Sequence, residues 1–325
     1  MTSLLYGVSF LLDLLLGDPP HWPHPIRWIG NLINRLQALL RRHCHSETAL
    51  HGAGALLWLG VVGTTYIVTW GVIALLGAIH PWLGLAATVW LTYTILAARC
   101  LRDAAMGVYR ALQSGSLEQS RRELSYIVGR DTTSLDRTQV SRAVVETVAE
   151  NTVDGVIAPL FWLFIGGAPL AMAYKAVNTL DSMVGYRNEK YRAIGCVSAR
   201  MDDLANLIPA RLGWLLLSLA ARLLGLRGRD ALQLGWRDRY QHKSPNSGWS
   251  EATGAGALGV RLGGPSTYFG ERVEKPWLGE ERRALEPGDI LTTIRLMYLS
   301  STLAFFLFAL AAFVRRKSRE RAAGI

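Results

Sequence analysis

Residues 53–79, AGALLWLGVVGTTYIVTWGVIALLGAI, run for 27 positions without one charged side chain. A helix rises about 1.5 Å per residue, so roughly 20 apolar residues cross the ~30 Å hydrocarbon core of a bilayer. Two more uncharged runs follow at 82–98 (WLGLAATVWLTYTILAA) and 296–314 (LMYLSSTLAFFLFALAAFV). Core helices of soluble domains rarely run this long without a charge. Only 18% of the residues are charged, against 50% hydrophobic, which is poor in charge for a soluble domain. The chain therefore reads as an all-α, polytopic helical membrane protein.

The N-terminal apolar stretch Leu4–Leu16 lacks a basic flank and contains Asp13, so it reads as a short membrane-embedded helix rather than a cleavable signal. The prolines of GDPPHWPHPIRWIGNLI (17–33) interrupt helix until Pro25, which can start an amphipathic helix through about Leu40. The runs 53–79 and 82–98 should form a hairpin turning at His80-Pro81. Residues 99–151 carry eight arginines and read as a polar cytoplasmic segment of helix, turn at Gly129–Asp136, and helix. Ser134 or Asp136 can cap that second helix, whose Val140, Val144, Val145 and Val148 recur at helical spacing. Gly166-Gly167 and Pro169 interrupt the apolar stretch 155–180, so broken or re-entrant helix is expected there, in one membrane-embedded domain over 1–325. Residues 226–293 are rich in Gly and Pro and read as an extramembrane loop region. The net charge of +10 fits membrane orientation and attraction to anionic lipid; no nucleic-acid motif accompanies it. Cys44, Cys100 and Cys196 are scattered and suggest neither disulfides nor a zinc site.

Polar residues inside such a chain need a reason. Asn151-Thr152-Val153-Asp154 recurs 27 residues later as Asn178-Thr179-Leu180-Asp181. Glu146, Glu150 and Asp154 follow i, i+4, i+8 spacing, which places three carboxylates near one face if the helix continues. A divalent cation such as Mg²⁺, which takes oxygen ligands and shares them with substrate phosphate, would compensate that charge. A solvated acidic face paired with Arg142 is the plainer explanation. Lys175, Asn178 and Asp181 lie in apolar surroundings, where an unpaired charge costs ~2.5–3.5 kcal/mol, so they should face a site or one another. Arg187 and Lys190 suit an anionic substrate, and Asp202, Asp203 and Asn206 form a further acid–amide set. SPNSGWSEATGAGALG (244–259) brings Asn246 and Glu251 beside glycines that permit close backbone approach; it contains no Walker A motif.

Taken together, LLDLLLGDPPHWPHPIRWIGNLI, ENTVDGVIAPLF, YKAVNTLDSMVGYRNEKY, DDLANLIPARL and SPNSGWSEATGAGALGVRLGGPSTYFG resemble the cobinamide-phosphate synthases of cobalamin biosynthesis, the CobD/CbiB membrane family. The likeness runs in order from residue 4 to about 279. It implies a multi-pass protein of the bacterial inner membrane that joins adenosylcobyric acid to (R)-1-aminopropan-2-ol, generally as its O-phosphate, in an amide bond. It implies ATP as co-substrate and Mg²⁺, with membrane lipid and other membrane-associated cobalamin-assembly enzymes as partners. On that footing Glu150, Asp154, Lys175 and Asp181 are expected in catalysis. Asp154, Asp181, Asp202 and Asp203 are expected to hold metal, and Asn151, Asn178, Arg187, Lys190, Asn246 and Glu251 to bind the cofactor. Two other classes fit the residues less fully. One is a membrane transferase on a phosphorylated lipid, built on aspartate-rich Mg²⁺ sites. The other is a transporter or sensor with Lys and Asp on an ion path.

Overall fold

The apolar runs dictate the architecture. In the computed structural model, which describes residues 2–19, 22–186, 188–268 and 270–322, almost all regular structure is α-helical. Four helical stretches are long and apolar enough to cross a membrane: Glu47–Ile79, Pro81–Gln113, Arg137–Val184 and Gly288–Ala322. A fifth results if Cys196–Ala205 and Leu207–Leu223 count as one broken span. The protein is thus an all-α polytopic membrane protein. Where the sequence suggested a single domain, the chain packs as two compact units, one of residues 1–97, 158–206 and 307–325, the other of 98–157 and 207–306.

In the first unit, α1 is Thr2–Leu16, α2 Pro25–His43, α3 Glu47–Ile79 and α4 Pro81–Tyr93. The Ser46 hydroxyl caps α3 by accepting the Ala49 N–H at 3.2 Å. Leu56, Leu59, Ile67, Trp70 and Leu75 of α3 are exposed, the surface a lipid-facing helix presents. The α3–α4 hairpin turns on His80, as expected. The run 82–98 is not one helix, however: α4 stops at Tyr93, and the non-helical Thr94, Ile95 and Leu96 are buried. Later in the chain this unit adds α8 (Ala158–Val184) and α9 (Cys196–Ala205). The expected break in α8 is present, with Gly166 and Gly167 leaving helical geometry ahead of Pro169. Gly167 sits at φ 73°, a left-handed conformation that a side chain would strain.

The second unit holds α5 (Ala98–Gln113), α6 (Leu117–Ser125), α7 (Arg137–Thr152), α10 (Leu207–Leu223), α11 (Gly228–Asp238), α12 (Ser247–Leu258) and the start of α13 (Gly288–Ala322). Asp136 caps α7 in a reciprocal capping box with Gln139, and Val140, Val144, Val145 and Val148 are fully buried. Residues 226–293, expected as a loop, are substantially built. They contain α11, α12 and two short antiparallel ladders, β1 (Arg261–Gly263) with β4 (Trp277–Gly279) and β2 (Ser266–Tyr268) with β3 (Glu271–Val273). The glycines of α12 explain this order. A methyl group on Gly256 would come within 2.6 Å of the Asp230 carbonyl oxygen, so α11 and α12 pack backbone against backbone.

Candidate functional site

Buried acids gather within each unit. In the second unit one set lies where α7 meets α12 and the strands. Glu146 is 4% exposed; Arg130, from the turn before α7, pairs with it, and the Gly263 N–H donates to its Oε1 at 2.6 Å. One turn on, Glu150 Oε1 accepts the Ser247 hydroxyl at 2.8 Å. Glu251 of α12 is buried beside them, with His242 Nε2 3.7 Å from its Oε1. The Ser244 N–H donates to His242 Nδ1 at 3.0 Å, so the neutral ring carries its proton on Nε2, toward Glu251. Burial, reinforced by repulsion from Glu150 and Glu146, raises the Glu251 pKa well above the usual carboxylate range, opposed by Lys275 and Arg130. Burial likewise lowers that of His242. Both shifts favour the neutral forms, a protonated Glu251 and an uncharged His242.

In the first unit one set is a chain of neutral donors around one carboxylate. Asp202 of α9 is 8% exposed. Its Oδ1 accepts the Asn178 amide at 3.4 Å and its Oδ2 the Asn206 amide at 3.1 Å. The Asn206 carbonyl oxygen accepts the Tyr174 hydroxyl at 2.9 Å. Asp181 is an electrostatic neighbour of Asp202. Tyr174 stacks on Trp162, whose indole N–H donates to the Ala205 carbonyl at 3.3 Å. The second Asn-Thr-x-Asp quartet and the Asp-Asp-x-x-x-Asn block therefore converge on each other. The oxygens of Asp181 and Asp202 are donors of the type Mg²⁺ takes. Among the described residues no group of three or more His, Cys, Asp or Glu side chains is arranged to hold a metal ion by itself.

The family model for CobD/Cbib proteins matches residues 6–297. The chain belongs to the CobD/CbiB family. Among its relatives, the cobalamin biosynthesis protein CobD of Photorhabdus laumondii is 65% identical over 310 residues, covering 95% of this chain and 97% of that one. The cobalamin biosynthesis protein CbiB of Salmonella arizonae is 61% identical over 311 residues, covering 96% and 98%. No solved structure matches significantly.

Within this CobD/CbiB chain, the structure joins some of the sequence-derived residues and separates others. Glu150 and Glu251 meet, as do Asn178, Asp181 and Asp202. The expected i, i+4, i+8 face is interrupted. The α-helix ends at Thr152, and Asp154 lies in a π-helical turn, Val153–Ile157. Asn151 donates its amide to the Thr147 carbonyl of its own helix at 2.9 Å. Lys175 and Asp203 are each partly exposed. Asn246 accepts from Arg211 at 3.2 Å, and that guanidinium also lies over Trp249. Lys190 is exposed, its ammonium 5.0 Å from the Tyr191 ring. Arg187 falls outside the described residues. Sequence reasoning missed His242, Arg130 and Tyr174. Arg130 replaces the expected Arg142 as the partner of Glu146; Arg142 instead lies over the Trp277 ring at 4.8 Å.

Proposed function

We propose that this protein is an ATP- and Mg²⁺-dependent ligase of cobalamin biosynthesis that joins adenosylcobyric acid to (R)-1-aminopropan-2-ol, as its O-phosphate, through an amide bond. The product is adenosylcobinamide phosphate, made at the bacterial inner membrane. Family membership and relatives named as cobalamin biosynthesis proteins support the pathway. The observation that carries the chemistry is that half-buried Glu150 is an electrostatic neighbour of the buried Glu251 and its His242 partner.

A free carboxylate does not acylate an amine at neutral pH, because its leaving group would be oxide. Transfer of the terminal phosphoryl group of ATP to a carboxylate oxygen releases ADP and leaves an acyl phosphate. The amine nitrogen attacks the carbonyl carbon, the bond from carbon to the phosphorylated oxygen breaks, and inorganic phosphate departs. The nitrogen must lose a proton to a base. Glu150 is assigned that role: it is half-buried, and its Oε1 accepts the Ser247 hydroxyl. Glu146, one turn earlier on α7, is already matched by Arg130. Mg²⁺ bound with the nucleotide would supply neutralisation of phosphate charge. Asp181 and Asp202 are the donor pair that fits it, and Asp203, beside Asp202 on α9, is the other carboxylate of this unit assigned to the role. Lys175 and Asn178, three residues apart on α8, are assigned to phosphate contact.

The purified protein in detergent, given ATP, Mg²⁺, adenosylcobyric acid and aminopropanol phosphate, should release one ADP per amide formed. Absence of amide while all substrates bind would sink the ligase reading. Glu150→Gln should lower kcat by about 10²–10⁴-fold with thermal stability unchanged, the range for loss of a general base.

A further inference from the structure

Beside α7 lies a cavity of about 310 Å³ lined by Ser134, Gln139, Arg142, Ser266, Thr267 and Trp277, among others. A smaller one of about 90 Å³ shares Arg142 and Trp277 and adds Arg261 and Arg283. The guanidinium groups of Arg142 and Arg261 both lie over the Trp277 ring, each 4.8 Å from its centre. Most of the cations here are neutralised. Arg261 pairs with Glu281 at 2.6 Å, Arg272 with Glu274 at 2.8 Å, and Arg283 donates to Asp289 at 2.9 Å. Arg142 has no carboxylate partner among the described residues, and its buried Nε–H has no acceptor. Among the described residues the buried Nε–H of Arg261 has none either.

A guanidinium stacked on an indole uses its flat face and keeps its N–H edge for an acceptor in its plane, the geometry that suits a phosphate oxygen pair. Hydroxyls of Ser134, Ser266 and Thr267 supply further donors around the same space. We propose that the cavity around Arg142 and Trp277 is an anion site that takes the phosphomonoester of a small molecule.

The position of the cavity relative to the acids narrows the occupant. Arg142 precedes Glu146 by one helical turn, a rise of ~6 Å. Arg130 spans the two: it reaches Ser266 on the cavity wall at 3.4 Å and pairs with Glu146 in the acid cluster. A short molecule with phosphate at one end and an amine at the other would set its phosphate at Arg142 and its ammonium toward the carboxylates. Naming the occupant as the phosphorylated amino alcohol rests on the proposed function; the anion site does not.

Calorimetric titration of the full-length protein in detergent tests this, using inorganic phosphate, aminopropanol O-phosphate, free aminopropanol and ATP as separate probes. Arg142→Gln should weaken inorganic phosphate and the phosphoester at least tenfold, leaving free aminopropanol and ATP as in the wild type. Arg272→Gln, which removes an already neutralised cation of the same wall, should shift the phosphoester by less than threefold. Arg142→Lys keeps the charge and should lie between, which covers the case of a poorly folded glutamine variant. Wild-type phosphoester binding by both Arg142 variants overturns the site. Loss confined to ATP overturns the small-ester occupant. Wild-type protein that shows the binding pattern but makes no amide would overturn the ligase and leave the site standing. Amide synthesis by Arg142→Gln with an unchanged KM for the phosphoester would do the reverse.

Discussion

The two units neutralise a buried acid in opposite ways. Asp202 is surrounded by neutral donors, the amides of Asn178 and Asn206, the latter held by Tyr174. Glu146 is matched by a full charge, Arg130, with one backbone N–H. A carboxylate wrapped in amides keeps most of its solvation when one donor is lost. A carboxylate matched by one guanidinium does not, because removing the partner strands a charge in a low dielectric. The first arrangement is tolerant and the second brittle, and that difference can be broken experimentally.

The largest effect is expected at Arg130. Arg130→Met should destabilise the protein by about 3–5 kcal/mol, read as a shift of the denaturant midpoint in micelles, because Glu146 is left buried and unpaired. The double variant Arg130→Met with Glu146→Gln should recover much of the loss. No recovery would mean that Arg130 acts through packing and that the charge contrast is wrong. Asp202→Asn is the matching change in the other unit. The side chain keeps its shape, but one oxygen becomes an N–H facing an amide donor, so the loss should be about 1–3 kcal/mol, smaller than at Arg130.

A third comparison is with pH. Glu251 has its pKa raised in the folded protein, so the stability it contributes is complete below the usual carboxylate range. That stability is lost as pH rises through the folded value. His242 has a lowered pKa, so its contribution is present above the ordinary histidine value and fades as pH falls through the folded one. Wild-type protein should therefore lose stability on the alkaline side through Glu251 and on the acid side through His242. Glu251→Gln should flatten the alkaline limb, each tenfold change in its protonation equilibrium corresponding to about 1.4 kcal/mol. A limb unchanged in slope would show that another group carries it.

How much of this was legible in the sequence follows the range of the interaction. The long helices, a cap at Ser134 or Asp136 and the Gly166-Gly167 break were legible because composition and neighbours within four residues decide them. The end of α4 at Tyr93 was not, since the β-branched Thr92, Thr94 and Ile95 disfavour helix only slightly; there the non-helical Thr94, Ile95 and Leu96 are buried. Helical spacing put Glu146 and Glu150 on one face but offered Arg142 as their partner, whereas the turn before α7 returns Arg130 to Glu146. His242 was invisible. Its partner Glu251 lies nine residues away across a turn, and only the packing of α12 against α7 places the pair beside Glu150.

The smallest effect sharpens the comparison most. Tyr174→Phe removes one hydroxyl and leaves the ring stacked on Trp162, 6.5 Å between centres. The Asn206 carbonyl oxygen then loses its donor, while the Asn206 amide stays on Asp202. If the amide chain is tolerant, the loss should be about 1 kcal/mol, the net value of one neutral hydrogen bond. It should also add to that of Asp202→Asn by less than the sum, because both act on Asn206. A loss as large as that of Arg130→Met would show that the neutral chain is as brittle as the charged pair. The two units would then differ in chemistry without differing in tolerance.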